Sequence, residues 1–323
     1  SALPRHQHQV PWSWMKGTRL TLLSMKDPNA LATSLAIAAL PSQALELGQL
    51  FGAGGFKLAL VGGSVRDAIL GRLSTDLDFT TSAHPDQTKK ILKAWGDSIW
   101  ETGRDFGTIA AERGDVTVEV TTYRREKYDP TSRKPIVEFG TEIEMDLSRR
   151  DFTINAMALE LTTPTPTFID LFDGVTDLAK KVLRTPIAAE DLFTEDPLRM
   201  MRAARFVSQL GFSVDPTITE AITKLASRME IISAERIHDE LIKLMMGAEP
   251  RNGLSLMVET GLADYVLPEL PKLKLEVDEH HHHKDVYEHS LTVLEQAIAL
   301  EARLDGKNLV IRLAALLHDI GKP

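Results

Sequence analysis

The spacing of the apolar residues changes once along the chain, and that change most limits the folds open to it. Over residues 58–122, short β-branched runs alternate with helical patterns, which predicts an α/β or α+β domain around one sheet. After Asp173-Gly174 the strand signals stop, and apolar residues recur every three or four positions, as in amphipathic helices. With 323 residues the chain is long enough for about two domains. We therefore expect an α+β fold, with a mixed head followed by an all-α part.

Local patterns place the elements of the head. The predicted strands are 58–61, 77–81, 108–111 and 116–121, and the predicted helices are 64–73 and 85–95. Arg113-Gly114-Asp115 is typical of a tight hairpin turn between the last two strands. The following stretch, Tyr123–Phe139, is rich in Arg and Lys and predicts a polar loop.

Five segments follow from these patterns. We expect an N-terminal arm at 1–27, a head at 28–173, a helical neck and body at 174–270, a linker at 271–283 and further helices at 284–323. The arm is basic and has no apolar core of the signal-peptide kind, so a loose tail is favoured over an arm that contacts a polyanion. The linker contains prolines, charges and four consecutive histidines, His280–His283.

Composition excludes several classes of protein. The chain has no cysteine, which rules out disulfides, thiolate catalysis and cysteine-ligated metal sites and fits a reducing, cytoplasmic location. No apolar run approaches the ~20 residues of a membrane-spanning helix, so no membrane partner is expected. The net charge of −9 argues against coating of nucleic acid through bulk positive charge, although a local basic groove stays compatible with it.

Three carboxylates are predicted to meet on one face of the sheet. Alternate residues of a strand share a face, so both aspartates of Asp76-Leu-Asp78-Phe project together while the apolar residues enter the core. By the same rule Glu119 faces outward between two valines. Acids this close repel unless a cation lies between them. If the strands are neighbours, the three oxygen ligands predict a Mg²⁺ site for nucleotidyl transfer; three solvated surface acids are the alternative.

A glycine pair precedes these acids. The buried strand at 58–61 runs into Gly62-Gly63 and then into a helix. Glycines at such a turn let backbone N–H groups approach a phosphate, and a helix N-terminus favours the anion. On its own, this pair more often marks a tight turn without a ligand.

Five motifs in order resemble those of the class II tRNA nucleotidyltransferases, the CCA-adding enzymes, and of the related bacterial poly(A) polymerases. The motifs are Leu60-Val-Gly-Gly-Ser-Val-Arg-Asp67 with Asp76-Leu-Asp78, Arg149-Arg-Asp-Phe-Thr-Ile-Asn-Ala156, Asp170-Leu-Phe-Asp-Gly174, Glu195-Asp-Pro-Leu-Arg-Met-Met-Arg-Ala-Ala-Arg-Phe206 and Glu235-Arg-Ile-His-Asp-Glu240. Together they cover roughly residues 56–270. The resemblance implies a nucleotidyltransferase (palm) head and a nucleobase-selecting, RNA-binding neck.

The resemblance also implies roles for residues of the head. Asp76 and Asp78 would be the Mg²⁺ ligands, and Glu119 the third catalytic carboxylate. The loop at 123–139 would either move with the nucleotide or be a plain surface loop. The implied nucleotide-binding residues, from the triphosphate to the groups supporting the sugar, are Gly63, Arg66, Arg150, Asp151 and Asn155.

The fourth motif predicts base recognition. On a helix, positions 196, 199 and 202 share one face, so Asp196 and Arg199 would present an acceptor and a fork of donors. These groups can pair with the Watson–Crick edge of cytosine or adenine and mismatch with uracil or guanine. The resemblance implies that the pair replaces a template in selecting CTP and then ATP, assisted by Arg202 and Arg205. The alternative for the fourth motif is a solvent-facing ladder of ion pairs on a helix. The fifth motif is assigned to helix capping and ion pairs.

The last 40 residues resemble the start of an HD phosphohydrolase domain. Its metal ligands would be His289, His318 and Asp319. The later aspartate of that motif is missing, so packed core histidines are the favoured interpretation, in a truncated fragment of a longer enzyme.

These observations predict a template-independent tRNA nucleotidyltransferase that adds or repairs the 3′-terminal CCA of tRNA from CTP and ATP and releases pyrophosphate. A poly(A) polymerase or a CC-only-adding enzyme of the same superfamily shares the motifs; the negative charge and the His-Asp tail favour the tRNA enzyme. An RNA-binding protein with a decayed site would lack one of the acids. A phosphohydrolase acting through the tail is the weakest alternative.

Overall fold

The computed structural model describes residues 28–127, 136–140, 142–275, 286–303 and 306–321. The predicted N-terminal arm, the histidine run and most of the predicted linker lie outside these residues. The chain forms two compact units. The first unit contains the described residues up to Lys180 and Arg184–Ile187, and the second contains Lys181–Leu183 and the described residues from Ala188 onward.

Helices and strands alternate in the first unit, the head. Its helices are α1 (Pro28–Ala39), α2 (Ser42–Ala53), α3 (Gly63–Ile69), α4 (Pro85–Trp95), α5 (Ile143–Ser148) and α6 (Gly174–Lys180). Its strands are β1 (Leu58–Val61), β2 (Asp76–Thr81), β3 (Ser98–Trp100), β4 (Thr108–Arg113), β5 (Val116–Thr122), β6 (Arg124–Lys127), β7 (Ile136–Phe139), β8 (Met157–Glu160) and β9 (Thr167–Asp170).

A seven-stranded mixed sheet forms the centre of the head, in the order β3-β4-β5-β2-β1-β8-β9. The pair β2–β5 is parallel, and the other described pairs of this sheet are antiparallel. Strand β1 is buried along its whole length, whereas β2 and β5 alternate between buried and solvent-reaching residues near the predicted acids. The half-buried pattern of β2 and β5 leaves one face of the sheet open for chemistry.

The four predicted strands and the helix at 85–95 are present, and Gly114-Asp115 joins β4 to β5 with a φ of 62° at Gly114. Helix α3 ends at Ile69, before the predicted residue 73, because the chain turns at Gly71 with a φ of 67°. The prediction of a polar loop over 123–139 was wrong at both described ends, where β6 and β7 pair antiparallel. That pairing joins residues distant in sequence, which local composition does not reveal.

The second unit is almost entirely helical. Its helices are α7 (Ala189–Glu195), α8 (Leu198–Leu210), α9 (Pro216–Leu225), α10 (Ala234–Met245), α11 (Pro250–Glu259), α12 (Ala263–Val266), α13 (Glu269–Lys272), α14 (Val286–Leu300) and α15 (Leu309–Leu317). One small exception to the predicted end of strand signals is the parallel pair β10 (Val182–Leu183) and β11 (Ser213–Val214). The fold class predicted from the sequence, a mixed-sheet head followed by helices, is confirmed.

In the described part of the chain, no single helix has the length and apolar character needed to cross a membrane. Helices α1 and α2, which meet at 105°, satisfy that test only as a bent pair, by length and composition. Several of their residues, including Ala36, Leu47 and Phe51, are buried within the head.

A buried arginine joins α15 to α10 within the second unit. Arg312 is 1% exposed and makes a two-pronged contact with the carboxylate of Glu301, at 2.6 Å for each N–H donor. Its remaining terminal nitrogen donates to the carbonyls of Met245 and Gly247, at 2.6 and 2.7 Å. One guanidinium thus satisfies a carboxylate and the C-terminal end of a helix at once.

We expect Arg312→Lys to destabilise the second unit by about 3 kcal/mol, because an ammonium cannot reproduce the planar fork and leaves buried acceptors unpaired. Arg251→Lys is the matched control, since Arg251 also joins α11 to α14, through Glu288 and Glu295, but its side chain is partly exposed and both acids are mostly exposed. It should cost less than about 1 kcal/mol. Urea unfolding of both variants measures the difference, and equal losses would contradict a special role for burial.

Candidate active site

The glycine turn between β1 and α3 is built for close approach. Gly62 has a φ of 68°, which disfavours any residue with a Cβ. A Cβ there would also lie 2.9 Å from the terminal nitrogen Nη1 of Arg150. Next to it, the hydroxyl of Ser64 accepts a hydrogen bond from the backbone N–H of Asp78 at 3.0 Å. The turn, the second motif's arginine and the first aspartate strand are therefore held together.

The structure places the three predicted carboxylates on the open face of the head sheet. Asp78 lies directly beside Glu119 in the parallel register of β2 and β5, and Asp76 is two residues from Asp78 on the same face. All three side chains reach solvent. Partial removal from water raises the pKa of Asp78. The negative charges of Glu119 and Asp76 raise that pKa further, and the positive charge of Arg150 lowers it. The site is thus a cluster of mutually repelling acids beside one arginine.

A chain of hydrogen bonds links the first and second motifs. Arg66 donates to the side-chain oxygen of Asn155 at 2.6 Å, and through two further nitrogens to Asp67 at 3.0 and 2.9 Å. Asn155 in turn donates to Asp151 at 2.9 Å. Gly63 lies against the same arginine, since a Cβ there would be 3.3 Å from its Nη2. These contacts bring together Gly63, Arg66, Asp151 and Asn155.

One residue of this site was missed by the sequence reasoning. Asp146 is fully buried and accepts hydrogen bonds from Arg149 at 2.7 Å and from Arg150 at 3.0 Å. Burial alone would raise the pKa of Asp146, but Arg150 and Arg149 outweigh it and lower that pKa. The available signal was spacing, because an acid three and four positions before an Arg-Arg pair faces both arginines on a helical turn.

The third motif has a structural task here. Asp170 accepts backbone hydrogen bonds from Gly174 and Val175, at 2.7 and 2.9 Å, at the start of helix α6. Further along that helix, Asp177 accepts from Thr153 at 2.7 Å and from Arg184 at 3.0 Å. Asp170 of the motif therefore caps the start of α6, and Asp177, outside the motif, joins that helix to the turn that carries Asn155.

In the second unit, Asp196 does not lie on the helix that the motif spacing assumed. Helix α8 begins at Leu198, and Asp196 has an extended backbone because Pro197 disfavours a helical conformation in the residue before it. Its carboxylate accepts from the N–H of Leu198 at 3.2 Å and pairs with Arg236 at 3.4 Å. The turn through Pro197 at the start of α8 thus positions Asp196 and Arg199, and regular helical spacing does not.

The three arginines of the fourth motif differ in surroundings. Arg199 is buried, with its guanidinium 3.3 Å from the carbonyl of Leu192 and 3.6 Å from Glu195. Arg205 is also buried and pairs with Glu240 at 2.9 Å, so the fifth motif supplies an ion-pair partner as expected. Arg202 is half-buried.

The C-terminal residues form a second cluster. His289, His318 and Asp319 each have one nitrogen or oxygen atom that lies within 4.8 Å of the other two. Asp319 is buried, 3.2 Å from His318 and 3.9 Å from His289. The expectation of packed core histidines was wrong. The side chain of His289 is 40% exposed and that of His318 is 34% exposed.

Comparison with known proteins gives three family matches along the chain. Residues 58–184 match the poly A polymerase head domain, residues 211–273 the probable RNA and SrmB-binding site of polymerase A, and residues 286–323 the HD domain. The first match contains the sheet, the glycine turn and the three carboxylates described above.

Curated relatives share much of the sequence. The CCA-adding enzyme of Latilactobacillus sakei is 45% identical over 225 residues, 69% of this chain and 55% of the relative. That of Streptococcus pneumoniae is 42% identical over 217 residues, 67% of this chain and 52% of the relative. The chain thus spans about half the length of the curated relatives it matches.

Solved structures agree with the fold. The Bacillus stearothermophilus CCA-adding enzyme in complex with CTP superposes with a TM-score of 0.64 at 32% identity, covering 87% of this chain and 66% of that one. The Thermotoga maritima CCA-adding enzyme complexed with tRNA has a TM-score of 0.68 at 22% identity, over 88% of this chain and 65% of that one, and supports the fold.

The mixed sheet, the glycine turn and the clustered acids define a nucleotidyltransferase head of the polymerase type. The chain belongs to the family of class II tRNA nucleotidyltransferases, the CCA-adding enzymes, and bacterial poly(A) polymerases.

Replacing Asp146 by Asn should destabilise the head by about 3 kcal/mol at neutral pH, because two half-buried guanidinium groups lose their fully buried carboxylate partner. The lowered pKa of Asp146 gives this stabilisation a defined pH range. It is complete above the ordinary aspartate pKa of about 4 and declines as pH falls through the lowered pKa.

Urea unfolding of wild type and Asp146→Asn across pH measures this effect. Asp86→Asn is the matched control, since Asp86 also pairs with an arginine, Arg104, but at an exposed position. That control should change stability by less than about 1 kcal/mol. A pH-independent difference for Asp146→Asn would contradict the assignment.

Proposed function

We propose that this chain carries the catalytic part of a template-independent tRNA nucleotidyltransferase, which adds or repairs the 3′-terminal CCA of tRNA using CTP and ATP. The observation that carries the proposal is the position of Asp78 beside Glu119, with Asp76 on the same face and the glycine turn next to them. The curated relatives from Latilactobacillus sakei and Streptococcus pneumoniae are named CCA-adding enzymes.

The acid cluster fits a divalent metal of the Mg²⁺ type. Its donors are carboxylate oxygens without His or Cys, the set that Mg²⁺ prefers. Asp76 and Asp78 would hold the metal, with Glu119 as the third carboxylate, and their mutual repulsion favours a bound cation. When bound, such ions stabilise the negative charge that develops in phosphoryl transfer. A two-metal arrangement is part of this proposal.

The remaining groups of the head orient the substrate. The backbone at Gly62 and Gly63 and the guanidinium groups of Arg66 and Arg150 would receive the triphosphate, with Asp151 and Asn155 holding Arg66 in place. The 3′-oxygen of the RNA bonds to the α-phosphorus, the bond from that phosphorus to the bridging oxygen breaks, and pyrophosphate leaves with the electron pair. The hydroxyl proton passes to solvent water in the same reaction.

Base selection is proposed for Asp196 and Arg199. The carboxylate of Asp196 has about four lone-pair positions, so its contacts with Leu198 and Arg236 leave room for an amino group. It would accept from the amino group of cytosine or adenine while Arg199 donates to the ring acceptor, assisted by Arg202 and Arg205. Separately, we propose His289, His318 and Asp319 as a candidate metal site of the HD segment.

Extension of a tRNA transcript that ends before CCA tests the function. With Mg²⁺, CTP and ATP, the product should stop after three added nucleotides. A long adenosine tail would identify the poly(A) polymerase alternative, and two added cytidines the CC-only alternative. Asp78→Asn should lower the rate at least about 100-fold while RNA binding persists. Asp86→Asn is the control and should retain the rate; full activity of Asp78→Asn would refute the metal assignment.

Asp196→Asn tests base selection. An amide at this position keeps an oxygen for the N–H of Leu198 but presents donors toward the base, which suits the O4 acceptor of uracil. We expect the preference for CTP over UTP to fall at least about tenfold. Glu190→Gln removes an exposed charge in the same unit and should leave the preference unchanged. Preserved discrimination in Asp196→Asn would contradict the role.

A further inference from the structure

An open pocket of ≈ 450 Å³ lies on the head sheet beside Glu119. Its lining includes Trp100, Phe106, Ala110 and Arg124 in addition to Glu119. Trp100, Phe106, Ala110 and Arg124 lie outside the five sequence motifs, and the proposed function gives them no role. The pocket therefore needs its own explanation.

The register of four strands explains why a depression forms here. Asp78 lies opposite Glu119, Glu119 opposite Ala110, and Ala110 opposite Trp100. Directly opposed residues share a face of the sheet, so these side chains form one row on the open face. Ala110 contributes only a methyl group between a carboxylate and an indole. With about 4.8 Å between strands, Trp100 lies about 10 Å from Glu119 along the row.

The walls of the pocket expose aromatic surface. Trp100 and Phe106 are each 43% exposed. Phe106 ends the short helical turn Arg104–Phe106, and Arg124 donates a hydrogen bond to its carbonyl oxygen. Large aromatic side chains left in water contribute little to folding, whereas exposed aromatic faces are suited to stacking on bases.

The order of the strands places the pocket and the glycine turn on opposite sides of the acid cluster. In β3-β4-β5-β2-β1, the pocket lies over β3 to β5, the acids lie on β5 and β2, and the glycine turn follows β1. In phosphoryl transfer, the attacking and leaving oxygens lie roughly in line on opposite sides of the phosphorus. Since the glycine turn and its arginines would hold the leaving pyrophosphate, the opposite side belongs to the attacking hydroxyl.

We propose that this pocket binds the unpaired 3′-terminal nucleotide of the RNA acceptor, with its base stacked on Trp100 or Phe106 and its sugar toward Glu119. The proposal rests on the proposed function and names the place of its second substrate. Stacking tolerates every base, because every base has an aromatic face. That tolerance suits an acceptor whose last nucleotide changes with each addition.

The kinetic test uses Trp100→Ala, Trp100→Phe and Ala110→Leu. Trp100→Ala removes the stacking face, and Ala110→Leu fills the pocket at a half-buried position. Both should raise the KM for the tRNA transcript at least about fivefold while the KM for CTP stays within about twofold. Trp100→Phe should restore a KM near that of wild type. Leu50→Ala, which trims another exposed apolar side chain of the head, is the control.

A binding readout separates this pocket from the activity itself. An RNA hairpin with a single-stranded 3′ end and a terminal 4-thiouridine is irradiated with the full chain, and the adducts are mapped. Adducts at 94–104 or 105–113, which contain Trp100 and Phe106, support the pocket. Adducts only elsewhere, or an unchanged KM for RNA in both variants, would overturn it. Adducts at the pocket without any nucleotide addition would instead refute the proposed function.

Discussion

Repulsion among three carboxylates is the constraint on which the head depends. The parallel pairing of β2 and β5 fixes Asp78 beside Glu119, and the strand period adds Asp76 to the same face. Partial removal from water is the largest cause of the raised pKa of Asp78, and the neighbouring charges of Glu119 and Asp76 raise that pKa further. Such a cluster is sustainable because it faces solvent, where counter-ions reach it, and because Arg150 lies close enough to lower that pKa.

Buried or half-buried arginines differ in their surroundings between the two units. In the head, Arg66 and Arg150 are held by Asn155, Asp67 and Asp146, so their direction is set before any ligand arrives. In the second unit, by contrast, the donors of Arg312 are directed to a carboxylate and two carbonyls. The same guanidinium chemistry there maintains packing, and the difference lies in what surrounds each group.

Much of this arrangement was accessible from the sequence. Alternation placed the acids outward and their apolar neighbours inward, as the burial of β2 and β5 shows. The five motifs, in their order along the chain, indicated the family. Other features need the fold. The spacing of Asp146 before Arg149 and Arg150 indicates a contact with both arginines, but only the tertiary structure shows that this acid is buried. Local composition over 123–139 predicts a loop, whereas β6 and β7 pair through contacts that are not local in sequence. Motif spacing predicts Asp196 on a helix, whereas the helix begins only after Pro197.

The sequence by itself determined which residues share a face and which motifs follow one another, because both depend on the local period of the backbone. Only the tertiary structure decided that β5, and not β4 or β1, lies parallel to β2 beside the acids, and that Ala110 and Trp100 continue the row from Glu119. Strand order and register are set by the packing of segments distant along the chain. That packing depends on the whole core, so no local pattern contains it.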